Sequence, residues 1–204
     1  LKANKFCITK REIRMRQLAR EAGLAVVPGS DGEVAAAADA AKVAAELGYP
    51  VLVKAAAGHG GSGMRLVKRD KDIETGFRMC QAEAKAAFGD GRVYIEKHLT
   101  NARHVEIQLL ADRRGNVAFL PERDGSVQLR YRKLLAESPS PAVDDSRRCT
   151  LGNQALAIGR AVGLTNAGTV EFLMDNKKNF FFLEINCRLQ IEHGVTEMVT
   201  GLDI

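Results

Sequence analysis

The sequence of 204 residues predicts an α+β fold in two lobes, and three observations carry that prediction. Helical and extended patterns alternate through the first half of the chain. The middle holds only extended patterns separated by turn signals, which reads as an antiparallel meander. The last part returns to a helix, a strand hairpin and a final helical piece.

Each element has a local reason. "REIRMRQLAREAGL" places Ile13, Leu18 and Ala22 on one helical face and stops at Gly23. "VVPGS" is a strand end and turn, and the alanine-rich "EVAAAADAAKVAAELG" is a second helix closing on Gly48. "YPVLVKAAA" reads as a buried strand, "GHGGSG" as a glycine loop and "MRLVKR" as the returning strand. A third helix covers Asp72 to Phe88, and the strand "VYIEKHL" follows. Three strands, "RHVEIQLLAD", "NVAFLPERD" and "SVQLRYRKLLAES", are joined by turns at "RRGN" and "DGS". The helix "CTLGNQALAIGRAVG", the strand "AGTVEFLMD", the turn "NKKN", the strand "FFFLEIN" and a helix from about Glu192 complete the order. The lobe boundary is expected near residues 97 to 100.

Composition narrows the function. Hydrophobic residues make up 46%, enough for a sizeable core. The net charge is +5 and the pI about 9.1, but the basic residues are dispersed and no aromatic-interleaved basic run occurs, so a nucleic-acid partner is not expected. A local anionic ligand such as a nucleotide phosphate accounts for the excess as well. Cys7, Cys80, Cys149 and Cys187 show no CxxC or metal-finger spacing, so reduced thiols in a cytoplasmic or organelle-matrix protein are expected. No apolar run approaches the roughly 20 residues of a membrane span, and no signal peptide is evident. Residue 1 is not Met and the amphipathic pattern at "MVTGLDI" is cut short, so the sequence reads as the interior of a longer chain.

Several groups can carry chemistry. Gly58, Gly60, Gly61 and Gly63 can turn backbone N–H groups toward a phosphate, with Lys54 on the preceding strand as a point charge. The loop is neither a Walker loop nor a Rossmann fingerprint, and a flexible hairpin without ligand stays open. Glu171 and Glu184 lie on neighbouring strands of a hairpin, with Asn186 on the face of Glu184, and this hard-oxygen set suits Mg²⁺ or Mn²⁺. Arg188, Gln190 and Glu192 continue the period of two, offering a cation for an oxyanion, an orienting amide and a carboxylate placed as a base. An ordinary exposed strand face is the alternative. Lys133, Arg130 and Gln128 form a smaller group, and His98 and His104 are read either as ligands or as hydrogen-bonded structural residues.

With those residues in hand, the sequence resembles the biotin carboxylase component of biotin-dependent carboxylases, an ATP-grasp family that serves acetyl-CoA, propionyl-CoA, methylcrotonyl-CoA and pyruvate carboxylases. The resemblance runs through "VPGS", "GYPVLVKA", "EAKAAFGD", "VYIEKHL", "RHVEIQLLAD", "PERDGSVQ", "AGTVEFL" and above all "EINCRLQIEHGVTEMVTG". Other ATP-grasp ligases, such as carbamoyl-phosphate synthetase, share the fold and the metal glutamates but lack the RxQxEHxVTE pattern.

The resemblance implies an ATP-grasp fold whose two lobes hold the nucleotide between them. It divides the chain into a linker and helix at 1–25, a lid subdomain at 26–98 and the first part of the C-terminal lobe at 99–204, without the family's N-terminal Rossmann-like domain. It implies ATP contacts for Lys54 and the glycine loop 58–63, for Glu96, Lys97 and Leu99 at the adenine, and for His104, Gln128 and Tyr131 at the ribose. Glu171, Glu184 and Asn186 would hold the metal. Lys133, Arg188, Gln190 and the Ile191 backbone would bind bicarbonate, and Glu192 would be its base, with Lys133 and Arg188 assisting catalysis. Biotin would enter as a carried substrate on a biotinylated carrier domain, with a carboxyltransferase partner and a homo-oligomeric parent. Departures from the family pattern are Tyr131 for a histidine, His59 and Ser62 in the lid, Gly125 for a cysteine, Gly194 for a proline, and Glu12 where an ATP-contacting lysine is expected. Tyr131, Glu12 and the altered lid motivate one alternative, a nucleotide-binding derivative without turnover; another ATP-grasp carboxylate ligase is a second.

Overall fold

The computed structural model describes residues 12–58 and 61–204; Cys7, Lys10, Arg11, His59 and Gly60 lie outside the described residues. Contacts divide the described chain into two units, residues 12–14 with 27–100, and residues 15–26 with 101–204.

In the first of these, β1 (Val51–Ala55) is the middle strand of an antiparallel sheet between β2 (Met64–Val67) and β3 (Val93–Lys97). Alternation gives β1 two faces. Val51 and Val53 join Ile95, Val93 and residues of the helices α2 (Ala37–Leu47) and α3 (Ile73–Phe88) in one core. Leu52 and Lys54 turn the other way, opposite Glu96 and Tyr94. The second helix starts later than the alanine-rich pattern suggests. Val34 N–H donates to Val93 O at 2.8 Å, so the chain is still extended along β3 at that point and the helix begins at Ala37.

The other unit is built on a sheet of order β10-β9-β4-β5, from β4 (Arg103–Ala111), β5 (Val117–Phe119), β9 (Asn166–Met174) and β10 (Phe180–Asn186), with the short β6 (Arg123–Asp124) also paired to β4. One face is apolar. Val105, Ile107, Leu109, Val170, Phe172, Phe182 and Ile185 pack with Leu151, Ala155 and Ile158 of the helix α4 (Asp145–Ala161) and with Leu18 and Ala19 of α1 (Glu12–Glu21). Each such large side chain contributes about 1.5–3 kcal/mol when fully buried. The fourth helix starts before Cys149 because the Asp144 side chain accepts the Arg147 N–H at 2.9 Å, an N-cap that precedes the apolar pattern.

β10 serves two environments through one irregularity. Phe182 pairs with Phe172 on the apolar face, yet Glu184 pairs with Glu171 on the opposite face, and the register shifts between Phe182 and Glu184. In a regular strand Phe182 and Glu184 would share a face; a β-bulge at this point separates them.

Two further expectations are corrected. The meander strand over 126–138 is instead a hairpin of β7 (Gln128–Leu129) and β8 (Arg132–Lys133), turned by Arg130 and Tyr131 at positive φ, and it forms its own two-stranded sheet. The left-handed turn at Arg130 and Tyr131 folds the segment back on itself, and the alternating Val127, Leu129 and Tyr131 stay exposed instead of packing on the larger sheet. Of the cysteines, Cys80 and Cys149 are free, whereas Cys187 is disulfide-bonded and not a reduced thiol, a bond that no CxxC spacing in the sequence announces.

The hairpin is tied down at its base by Asp124. Its carboxylate accepts Ser140 Oγ at 2.7 Å, Arg103 Nε at 3.0 Å and the Ser126 N–H at 3.0 Å, and its backbone bridges Glu137. Burial raises the Asp124 pKa, but these donors outweigh it and hold the carboxyl below its ordinary value. A depressed folded-state pKa stabilises above the unfolded value and is lost as pH falls through the folded one. Asp124→Asn is therefore expected to lower unfolding free energy by about 1–3 kcal/mol at pH 7. The deficit relative to the unsubstituted chain should shrink below about pH 4 in urea titrations repeated across pH.

Candidate active site

The polar face of the larger sheet carries a row of three glutamates. Glu106 of β4 lies opposite Glu171 of β9, which lies opposite Glu184 of β10. Like charges directly across strands repel, so this row forms only with donors between its members. Gln108 of β4, Thr169 of β9 and Asn186 of β10 make the next row.

Those donors are present. Asn186 Nδ2 bridges Glu184 Oε1 at 2.7 Å and Glu171 Oε1 at 3.1 Å. His104 Nε2 lies 2.8 Å from Glu171 Oε2, and Gln190 Nε2 donates to Glu171 Oε1 at 3.0 Å. The Lys133 ammonium donates to Glu106 Oε2, lies 3.4 Å from Glu171 Oε1 and pairs with Glu192 Oε1 at 3.2 Å. Behind them Arg123, 0% exposed, donates to Glu106 Oε1 at 2.6 Å, Gln108 Oε1 at 2.9 Å, Thr196 Oγ1 at 2.7 Å and Thr169 Oγ1 at 3.2 Å. Thr196 belongs to α5 (His193–Thr200), so one guanidinium ties the sheet to the helix that Glu192 begins.

The electrostatics follow from these contacts. Burial lowers the Lys133 pKa, but Glu171 and Glu106 outweigh it and hold the ammonium above its ordinary range. Burial raises the Glu171 pKa, and His104 and Lys133 pull it well below the usual carboxylate range. His104 is lowered by burial and raised more by Glu171 and Glu106. Among the described residues, two buried atoms here have no partner, His104 Nδ1 and Gln190 Oε1. Buried polar atoms are rarely left unpaired, so both point to a polar group that completes the site.

His104, Glu106 and Glu171 also bring donor atoms within 4.8 Å of one another. The Lys133 ammonium already supplies the positive charge between Glu106 and Glu171, so the hairpin pair Glu171 and Glu184 is the better-placed carboxylate set for a divalent ion.

The expected site residues divide into those brought together and those left apart. His104, Lys133, Glu171, Glu184, Asn186, Gln190 and Glu192 form one network. The expected alternation through Arg188, Gln190 and Glu192 does not continue as a strand. β10 ends at Asn186, and Glu192 has helical dihedrals. Arg188 is exposed and donates to the Leu189 carbonyl at 3.2 Å, and Ile191 is 91% exposed. Gln128 donates to Gly125 O at 2.8 Å, and Tyr131 is exposed on the hairpin turn. Gly194 has open space where a Cβ would sit.

The unit containing β1 holds a second group. Lys54, 4% exposed, pairs with Glu96 at 3.0 Å and Glu12 at 3.1 Å and lies 5.3 Å from the centre of the Tyr94 ring. Burial lowers the Lys54 pKa, but Glu12 and Glu96 raise it well above its ordinary value. Lys97 Nζ donates to the carbonyls of Gly48 at 2.7 Å and Tyr49 at 3.2 Å, and Leu99 is half-buried. In the glycine loop, Gly63 has φ +72° and an added Cβ would come 2.8 Å from that of Ala55; at Gly58 it would come 2.7 Å from Ser62 O. Both positions require glycine for the tight turn.

Sequence reasoning missed Glu106, Arg123 and Tyr94. The period-two polar residues His104, Glu106 and Gln108 in "RHVEIQLLAD" were the available signal for the first.

The family model "Carbamoyl-phosphate synthase L chain, ATP binding domain" matches residues 11–204. The chain belongs to this family. It is 50% identical over 193 residues to the mitochondrial propionyl-CoA carboxylase alpha chain of Homo sapiens, covering 95% of this chain and 26% of that protein. It is 49% identical to Biotin carboxylase 1 of Bacillus subtilis, covering 93% of this chain and 42% of that one. Among solved structures, the biotin carboxylase–β,γ-ATP complex of Campylobacter jejuni matches with TM-score 0.93 and 47% identity, over 97% of this chain and 44% of that one. The biotin carboxylase domain of Hydrogenobacter thermophilus 2-oxoglutarate carboxylase, solved with MgADP, ADP and bicarbonate, matches with TM-score 0.92 and 40% identity, over 96% and 43%. The fold is therefore the α+β ATP-grasp fold of the biotin carboxylases. The chain spans between about a quarter and two-fifths of the length of these curated relatives. No helix among the described residues is long and apolar enough to cross a membrane.

Breaking a buried ion pair by removing one partner costs about 3–5 kcal/mol, because the other charge stays buried. Arg123→Met is expected to destabilise its unit by that amount in urea unfolding at pH 7. Adding Glu106→Gln to Arg123→Met should recover part of the loss.

Proposed function

We propose that this chain is the nucleotide-binding and bicarbonate-activating core of a biotin carboxylase, in a protein that uses ATP and bicarbonate to carboxylate biotin held on a carrier. The observation that carries this reading is Lys133, whose ammonium holds the Glu192 carboxylate at 3.2 Å beside the glutamate row. A carboxylate fixed next to a cation is what deprotonation and capture of bicarbonate need.

Glu192 is the base. It removes the bicarbonate proton, and the resulting dianion is held by Lys133, by Gln190 and by the Ile191 backbone. Lys133 cannot take the proton itself, since its carboxylate neighbours keep it charged. Gln190 Nε2 gives one hydrogen to Glu171 Oε1 and has a second to offer an oxygen of the anion. Arg188, exposed between Asn186 and Gln190 of the polar network, is placed to close over the anion. The oxyanion attacks the γ-phosphoryl group of ATP and breaks its bond to the β,γ-bridging oxygen, so that ADP leaves and carboxyphosphate forms; this releases CO₂ and phosphate, and the phosphate then takes the proton of the biotin ureido nitrogen that captures the CO₂.

The donor set fits a divalent ion. Glu171 and Glu184 face each other across the hairpin, and turning over the Asn186 amide, now bridging them through its nitrogen, presents an oxygen instead. Bound there, Mg²⁺ or Mn²⁺ would offset charge on the nucleotide phosphates. Lys54 and the glycine loop, Gly58, Gly60, Gly61 and Gly63, take the phosphates. Glu96, Lys97 and Leu99 take the adenine, and His104, Gln128 and Tyr131 the ribose side. A biotinylated carrier, a carboxyltransferase partner and a homo-oligomeric whole protein in the cytoplasm or mitochondrial matrix complete the proposal, which the names of the relatives support.

A positioned general base contributes about 10²- to 10⁴-fold in rate. Glu192→Gln in the whole protein is expected to lower bicarbonate-dependent ATP cleavage by that factor while leaving the Mg·ATP dissociation constant within about twofold. Unchanged turnover in a phosphate-release assay removes Glu192 from the role.

A further inference from the structure

The Lys54 ammonium, read above as a phosphate ligand, is already occupied. Glu12 reaches it at 3.1 Å through Oε2, and the same oxygen accepts the Tyr94 hydroxyl. The contact is built in rather than incidental. Glu12 N–H donates to the Ala56 carbonyl at 3.3 Å, which pins the first residue of α1 to the chain just beyond β1. Lys54 and Tyr94 are cross-strand partners on the face turned away from the helices, so the ammonium and the hydroxyl converge on one carboxylate. All four side chains, Glu12, Lys54, Tyr94 and Glu96, are more than four-fifths buried, where a carboxylate and a phosphate compete for one ammonium with little screening by water.

We propose that Glu12 is an internal competitor for the phosphate-binding lysine: its carboxylate takes the place on Lys54 that a nucleotide phosphate takes, so nucleotide binds only as Glu12 lets go. This rests on the reading of Lys54 as a phosphate ligand. A ligand that binds one released conformation has its affinity reduced by the fraction of molecules in that conformation. Glu12 thereby sets the nucleotide concentration at which the site fills. The competition is for the triphosphate and not for the nucleoside, so it acts equally on any polyphosphate.

Dissociation constants for Mg·ATP and for tripolyphosphate, measured calorimetrically on the full chain, test this in four forms: unsubstituted, Glu12→Gln, Lys54→Met and the double variant. Glutamine keeps an acceptor for Tyr94 and removes the charge. The expected result is that Glu12→Gln tightens both ligands about tenfold or more, and that Lys54→Met abolishes the gain. Glu12→Asp, which withdraws the carboxylate by one methylene, gives a smaller gain in the same direction and serves if the glutamine variant does not fold. Binding that weakens in Lys54→Met but is unchanged or weaker in Glu12→Gln overturns the competitor role and leaves the nucleotide reading intact. Binding indifferent to Lys54→Met overturns the phosphate role of Lys54, and the competitor with it.

Discussion

Three glutamates standing side by side across three strands are the constraint from which the larger unit is organised. Glu106, Glu171 and Glu184 would drive the strands apart if left alone, yet they occupy the middle of a sheet whose other face is a tightly packed apolar core. The sheet tolerates them because every gap in the row is filled from a different part of the chain: Arg123 from β6, Lys133 from the hairpin, His104 from β4 itself and Asn186 from the end of β10. The polar network is thus as much a folding constraint as a functional one. Strands, hairpin and last helix must all arrive before the charges are balanced.

Arg123 shows how far the constraint reaches. Its guanidinium uses Nε, NH1 and NH2 on four partners, including Thr196 on the helix that follows Glu192. The spacing between Lys133 and Glu192 is therefore set from behind, by a residue that touches neither. Such buried cations are better understood as fixing one arrangement among several than as a source of net stability, since well-packed apolar groups of similar volume hold a core at least as well.

Much of this was legible in the sequence. The hairpin carrying Glu171 and Glu184, the strand carrying Lys54 and the glycine turn beside it all follow from alternation and turn residues. What escaped has definite physical causes. The bulge between Phe182 and Glu184 is invisible to a period-two reading, because inserting one residue changes the face without changing the composition. The alternation through Arg188 to Glu192 looked like more strand, but those residues follow a chain that has already left the sheet. Arg123 could not be found at all, since its partners come from β4, β9 and α5 and share no local pattern. The contact of Glu12 with Lys54 is of the same kind, a charge pair between elements with no sequence spacing to announce it.

The hairpin of β7 and β8 pairs with no other strand among the described residues, and its turn is held in a left-handed conformation by Arg130 and Tyr131. Lys133 therefore sits on backbone that reaches the main sheet only at the base of the hairpin, through Asp124. Its place is chosen at the far end of the side chain, by the carboxylates it meets, and the local main chain follows. In such an arrangement electrostatics does the work that a hydrogen-bonded ladder does elsewhere.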